Sequence, residues 1–179
     1  LHRSGHSFPT RRSSDLPSII THTMNVFGER QNVEKYIPMV IKKVRDNETV
    51  TVHANKEKNI AGSRHYIHAG DVADALLFLY NYDISSLAPD QTGAKCQKFN
   101  IVGKDEIDNS ELAQFIAKTQ NKDLKYEMVD FHSSRPGHDL RYALDGIKMK
   151  NMGWEPESAF KRLESVVQWT LENDRWLIT

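Results

Sequence analysis

Residues 64–80 read RHYIHAGDVADALLFLY and form the most regular local pattern of the chain. The first five residues predict a short strand, and residues 71–80 predict a helix that is apolar around most of its circumference. A strand that passes directly into a helix is the building unit of α/β folds. We interpret this apolar helix as part of the hydrophobic core.

The same alternation continues on both sides of this segment. By composition and length, we predict strands at residues 18–24, 49–53, 98–102 and 126–129. The first of these is β-branched and follows Pro17, which favours a buried interior strand. Apolar residues at helical spacing predict a helix over residues 33–44. These elements together predict an α/β fold.

Polar residues mark where the remaining helices begin and end. Asp108, with Glu111 three residues later, has the pattern of a capping box before a helix that runs to residue 118. Asp145 is placed to cap a short helix that stops before Gly153, where a left-handed residue is expected. Ser158 is placed to cap a last helix.

Charge and composition exclude several classes of protein. Lys plus Arg and Asp plus Glu both number 24, so bulk positive charge for nucleic-acid binding is absent. No apolar run approaches the ~20 residues that a membrane-spanning helix needs. The single cysteine excludes an internal disulfide framework and a multi-cysteine metal site. We therefore expect a cytoplasmic protein without nucleic-acid or membrane partners.

Residues 1–16 do not follow the pattern of the rest of the chain. They read LHRSGHSFPTRRSSDL and have neither an apolar period nor a helix cap. We interpret them as a non-native scar of a sequencing adaptor and exclude them from the fold. The alternative is a basic arm that binds an acidic partner. A scar at this point also predicts that the natural protein began further upstream, which makes residues 17–179 a fragment.

The segment RPGHDLRY, residues 135–142, points to an anionic ligand. Pro136 and Gly137 suit a type II turn, which would present Arg135 and His138 from one rigid loop. A guanidinium can donate two parallel hydrogen bonds to a phosphate or carboxylate, and a diphosphate fits such a site. The alternative is a structural role, in which the arginines at 135 and 141 pair with carboxylates such as Asp130 or Asp139.

Six segments in register carry a family resemblance. They are TMNVFG (23–28), EKYIP (34–38), RHYIHAGDV (64–72), FNIVG (99–103), RPGHDLRY (135–142) and GWEP (153–156). The chain resembles the C-terminal half of the nucleotide-sugar 4,6-dehydratases, extended short-chain dehydrogenases/reductases, and is most similar to the dTDP-glucose branch. The resemblance implies the end of a Rossmann domain followed by the smaller substrate-binding lobe.

The resemblance also implies which residues hold the substrate. Asn25 would contact it near the cofactor, unless its amide only satisfies backbone groups at a strand end. Lys35 would line the nucleotide end, His53 would flank the base, and Arg64 would grip the diphosphate. The implied substrate-binding residues are Asn25, Lys35, His53, Arg64, Asn100, Arg135 and His138.

A metal site is a weaker interpretation of the histidines. His65 and His68 lie three residues apart, so on a strand their side chains point to opposite faces. We therefore expect no metal site.

The motifs of the family's redox chemistry are missing from the sequence. The nine glycines never form the dinucleotide fingerprint, and no tyrosine is followed four positions later by lysine. We therefore expect no catalytic residue in this fragment and no activity from it alone. The resemblance implies that the full-length enzyme uses NAD and is a homodimer.

Two kinds of alternative remain. Within the enzymes, the chain could come from a related epimerase or decarboxylase, or from a GDP-mannose 4,6-dehydratase. Outside the enzymes, it could be a nucleotide-sugar-binding module that carries out no chemistry.

Overall fold

The computed structural model describes residues 18–87, 96–130 and 140–178. The proposed scar at residues 1–16 and the predicted ligand residues Arg135 and His138 lie outside the described residues. The predictions for these three parts of the chain therefore stay predictions.

Strands and helices alternate along the described chain, which confirms the α/β prediction. The strands are β1 (Ile19–Thr23), β2 (Val26–Phe27), β3 (Val50–Ala54), β4 (Ser63–His65), β5 (Ile67–His68), β6 (Gln97–Ile101), β7 (Glu106–Asp108), β8 (Tyr126–Asp130) and β9 (Arg141–Tyr142). The helices are α1 (Tyr36–Arg45), α2 (Ala69–Asn81), α3 (Asn109–Thr119), α4 (Ile147–Asn151) and α5 (Ala159–Glu172). The short strands β2, β7 and β9 were not predicted from the sequence.

The strands form four small sheets. Parallel pairs join β1 to β6, β2 to β5 and β3 to β8. The fourth sheet has the order β7-β4-β9, in which β4 is antiparallel to β7 and parallel to β9. The segment predicted as one strand over residues 64–68 is divided at Tyr66, so that β4 and β5 belong to different sheets.

Two hydrophobic clusters hold these elements together. The larger one packs α1, α3 and α5 against β3, with Ile41, Leu112 and Leu163 completely buried. The smaller one joins α2, β6 and α4 around Phe99 and Trp154. The described residues therefore have two separate hydrophobic clusters.

Helix α1 begins three residues later than predicted, and proline explains the difference. Pro38 lies in the first turn of α1. Backbone N–H groups in a first turn have no acceptor within the helix, so the N–H that proline lacks costs no helical hydrogen bond. A helix that began at residue 33 would place the proline ring against the carbonyl of residue 34. The apolar stripe of Ile37, Val40, Ile41 and Val44 is buried as the spacing predicts.

The predicted caps are present with one exception. The Asp108 carboxylate accepts hydrogen bonds from the backbone N–H of Ser110 at 2.6 Å and of Glu111 at 3.2 Å. Asp145 accepts from the N–H of Ile147, and Gly153 adopts φ +95° after α4. Ser158 occupies the N-cap of α5, but its side chain makes no capping hydrogen bond.

Two burial predictions are wrong. Helix α2 buries Ala75 and Leu79, whereas Leu77 is 62% exposed and Tyr80 is 86% exposed. Strand β1 is half exposed and, within the described residues, pairs only with β6. An apolar composition favours burial of a helix or strand. Whether another element packs against a given face depends on the tertiary structure. Among the described residues, no helix is long and apolar enough to span a membrane.

Candidate functional site

A cavity of about 880 Å³ brings four of the predicted ligand residues together. Asn25 enters it before β2, Lys35 just before α1, His53 from β3 and Arg64 from β4. These residues are far apart in the sequence, and the packing of α1 and β3 brings them to one place.

Alternation along β3 explains why His53 faces the cavity. Thr51 and His53 line it, while Val50, Val52 and Ala54 on the opposite face are completely buried. Because successive strand residues point to opposite faces, the buried face fixes the direction of the imidazole.

Arg64 is held in place by backbone carbonyls. Its Nη1 donates to the carbonyl oxygens of Ser63 and Leu140, each at 2.6 Å. The backbone N–H of Ser63 also donates to Leu140 at 3.2 Å. A guanidinium oriented in this way is prepared to bind a planar or tetrahedral anion without first losing much side-chain freedom.

Two tyrosines and an asparagine form a hydrogen-bonded wall of the cavity. The Tyr66 hydroxyl donates to Asn109 Oδ1 and the Tyr36 hydroxyl donates to the Asn109 carbonyl oxygen, both at 2.7 Å. Burial raises the pKa of both tyrosines well above the ordinary value, so both stay neutral donors. None of these three residues was predicted as a site residue, since no local motif indicates that positions 36, 66 and 109 meet.

The charges around the cavity favour an anion. Lys35, Lys43 and Arg64 contribute positive charge, and Glu34 contributes one negative charge. An excess of positive charge in a partly enclosed space attracts phosphate or carboxylate groups.

Asn100 lies elsewhere. It lines a separate cavity of about 410 Å³ beside β6 and α4. Its Nδ2 donates to the carbonyl oxygen of Asp145 at 2.8 Å, and its Oδ1 lies 3.3 Å from the His22 ring Nδ1. The structure therefore does not bring Asn100 together with the four predicted residues that line the large cavity.

The described residues on either side of the segment that contains Arg135 and His138 lie next to the large cavity. On its N-terminal side, Val129 of β8 is the register partner of His53. On its C-terminal side, Leu140 lines the cavity and accepts the hydrogen bond from Arg64.

Arg141 has the structural role that was one of the two alternatives, although with a different partner. Its guanidinium donates to both carboxylate oxygens of Glu106 at 2.6 and 2.7 Å. Glu106 also accepts a hydrogen bond from the Ser63 hydroxyl at 2.5 Å. This pair joins the outer strands of the three-stranded sheet across β4, and Arg141 does not line the large cavity.

The Glu106 pair gives an expected dependence of stability on pH. The hydrogen bonds from Arg141 and Ser63 lower the pKa of Glu106 from 4.5 to about 2. A carboxylate whose pKa is lowered by folding stabilises the protein above its unfolded pKa, and that stabilisation is lost as the pH falls from 4.5 towards 2. The unfolding free energy of Glu106→Gln should therefore fall less between these two pH values than that of the wild type. Urea denaturation at each pH measures this. Glu127→Gln, at an exposed carboxylate on β8, is the matched control, and an equal change in both variants would contradict the assignment.

His65 and His68, the two residues of the metal-site interpretation, contact different partners. His65 Nδ1 lies 3.2 Å from the Gly103 carbonyl oxygen, and His68 Nε2 lies 3.2 Å from Glu29. Over the described ranges, no cluster of three or more His, Cys, Asp and Glu side chains could hold a metal ion.

Comparison with known proteins shows which proteins this chain is similar to. The model of the NAD dependent epimerase/dehydratase family matches residues 9–91. A low-salt glycan biosynthesis protein of Haloferax volcanii is 34% identical, with 92% of this chain and 48% of that protein aligned. The dTDP-glucose 4,6-dehydratase 1 of Escherichia coli K12 is 28% identical, with 93% and 44% aligned.

A solved structure gives the same result in three dimensions. The dTDP-glucose 4,6-dehydratase of Streptomyces venezuelae, with NAD bound, superposes with a TM-score of 0.70 at 27% identity. The superposition covers 92% of this chain and 47% of that one. This chain is a relative of the nucleotide-sugar 4,6-dehydratases. It spans about half the length of the curated relatives it matches, and it has the fold of their C-terminal half, as the sequence predicted.

NAD is bound in two of the solved structures that this chain resembles. The sequence contains no glycine-rich dinucleotide fingerprint for a strand-to-helix turn. The two structures are those of the dTDP-glucose 4,6-dehydratases of Bacillus anthracis and Streptomyces venezuelae.

Proposed function

We propose that this chain is the nucleotide-sugar-binding portion of a cytoplasmic, homodimeric, NAD-dependent NDP-sugar 4,6-dehydratase, with dTDP-glucose as the substrate. The observation that supports this most directly is the cavity where Asn25, Lys35, His53 and Arg64 meet. Their chemistry matches the parts of a nucleotide sugar, which are an aromatic base, a diphosphate and a polyhydroxylated ring.

Each residue would bind a different part of the ligand. Arg64 and Lys35 would neutralise the diphosphate, and the Arg64 fork would donate to its oxygens. His53 would flank the base from β3, and Asn25 would contact the sugar. As the family resemblance implies, Arg135 and His138 would add donors to the diphosphate.

The chain alone would bind substrate without converting it. The Tyr-x-x-x-Lys pair and the dinucleotide fingerprint are absent from the sequence, and hydride transfer requires both. What these residues supply is binding and orientation of the nucleotide sugar next to a cofactor held elsewhere.

Calorimetric titration of the purified chain with dTDP, UDP and GDP tests this function. We expect one-to-one binding that is tightest for dTDP, and no 4-keto-6-deoxy product from dTDP-glucose with added NAD. Arg135→Lys should weaken dTDP binding by roughly 1–3 kcal/mol, since it loses the bidentate fork, and Arg135→Ala should weaken it at least as much. Tightest binding of GDP would favour a GDP-mannose 4,6-dehydratase, and binding of none of the three would contradict the proposal.

The family model supports a second candidate function. Its description names epimerases as well as dehydratases. A related epimerase would use the same cavity, and tightest binding of UDP in the titration would favour it.

A further inference from the structure

Two buried polar atoms at the large cavity lack hydrogen-bond partners among the described residues. They are the Nδ2 of Asn25 and the Oε1 of Gln31, and both side chains line the cavity. A buried polar atom without a partner costs about 1–3 kcal/mol, so proteins seldom contain one that does not interact with water or a ligand.

The orientation of the Gln31 amide is fixed. Its Nε2 donates to the carbonyl oxygen of Val26 at 2.9 Å, which leaves Oε1 as the free end. Exchanging the two atoms would put the amide oxygen against that carbonyl oxygen, so the assignment follows from the hydrogen bond. Because Val26 follows Asn25 in the chain, the two unpartnered atoms belong to neighbouring parts of the cavity.

The segment that carries Gln31 is anchored to the body of the protein. The Arg30 guanidinium lies 5.9 Å from the centre of the Trp169 ring, and Glu29 contacts His68 at 3.2 Å. On the other side, Asn32 Oδ1 accepts from the N–H of Glu34 at 2.7 Å. A side chain on a segment anchored in this way can bind a ligand with little loss of conformational freedom.

The chemistry of the two atoms indicates which part of the ligand they contact. A glutamine oxygen can only accept a hydrogen bond, so it repels phosphate oxygens and attracts hydroxyl groups. The Asn25 amide can only donate at its Nδ2, and hydroxyl groups accept as well as donate. A ring with several hydroxyl groups satisfies both atoms, whereas a diphosphate satisfies only Asn25.

We propose that Gln31 is a sugar-binding residue, whose Oε1 accepts a hydrogen bond from a hydroxyl of the substrate's sugar. This inference rests on the proposed function, since it requires a nucleotide sugar in the cavity. It adds a residue to the substrate site that none of the sequence motifs indicated. The base could also donate from an N–H, and the experiment separates the two cases.

The experiment compares two ligands that differ only by the sugar. Calorimetric titrations with dTDP and with dTDP-glucose are carried out on the wild-type chain and on Gln31→Met, which keeps the length of the side chain without its oxygen. We expect Gln31→Met to weaken dTDP-glucose binding about tenfold or more and to leave dTDP binding within twofold. Gln120→Met is the matched control, because Gln120 also donates from its amide to a backbone carbonyl, at Ile41, and does not line the cavity.

A measurement on the wild-type chain does not depend on how well the variant folds. The side-chain amide resonances of Gln31 in a nitrogen-labelled sample should shift with dTDP-glucose and not with dTDP. Equal losses for both ligands in Gln31→Met, or equal resonance shifts with both, would overturn the sugar assignment alone. If neither ligand binds to the wild-type chain, both the proposed function and this inference are wrong.

Discussion

Replacing Arg64 by alanine is expected to weaken the binding of dTDP-glucose by at least about a hundredfold. The substitution removes the fork that would donate to the diphosphate, and each hydrogen bond to a charged group contributes about 1.5–3 kcal/mol. It also removes the donors that hold the Ser63 and Leu140 carbonyl oxygens. Arg64→Lys keeps the charge and loses the fork, so we expect an intermediate affinity. Calorimetric titration, together with a thermal melt of each variant, measures the effect.

The matched control is an arginine on the neighbouring strand. Arg141 of β9 is the register neighbour of Ser63, but its guanidinium binds Glu106 and lies outside the cavity. Arg141→Ala should lower the melting temperature and leave the affinity per folded molecule nearly unchanged. If Arg64→Ala binds dTDP-glucose within threefold of the wild type, Arg64 does not grip the diphosphate.

The second large effect is expected at Gly103. A Cβ atom at this position would lie 2.0 Å from the Tyr66 carbonyl oxygen and 2.6 Å from its carbonyl carbon. Both are backbone atoms, so a side-chain rotation cannot relieve the overlap. We expect Gly103→Ala to cost about 3 kcal/mol of unfolding free energy and to lower the melting temperature by about 10 °C.

Gly103→Ala should also affect the cavity from a distance. Tyr66 must move to make room for the methyl group, and its hydroxyl then loses the hydrogen bond to Asn109 Oδ1. Gly146→Ala is the control, because the Cβ would meet only the Val102 side chain at an ordinary 3.5 Å. Equal stability of Gly103→Ala and Gly146→Ala would contradict the close approach.

The predictions that succeeded depend on interactions within a few residues. The Asp108 cap and the left-handed Gly153 each follow from a side chain or backbone preference at one position. The start of α1 could also have been placed, since Pro38 excludes a helix over residue 34. Strand and helix types were predicted correctly for the same reason, because each apolar period is a local property.

The predictions that failed depend on what packs against an element. The sequence of α2 is apolar enough for a fully buried helix, yet Leu77 and Tyr80 are exposed. Likewise, β1 has the composition of an interior strand and one strand partner among the described residues. Burial of an apolar side chain stabilises the folded protein, but the side chain does not determine which element packs against it.

The candidate site divides in the same way. The family resemblance indicated Asn25, Lys35, His53 and Arg64, but the cavity exists because α1 and β3 pack together and β4 lies between β7 and β9. Gln31 and Asn109 were identified as site residues only from their hydrogen bonds in the structure, which no sequence motif predicts. Secondary structure and caps follow from neighbours in the chain, whereas a binding site is made by side chains that only long-range packing brings within hydrogen-bonding distance.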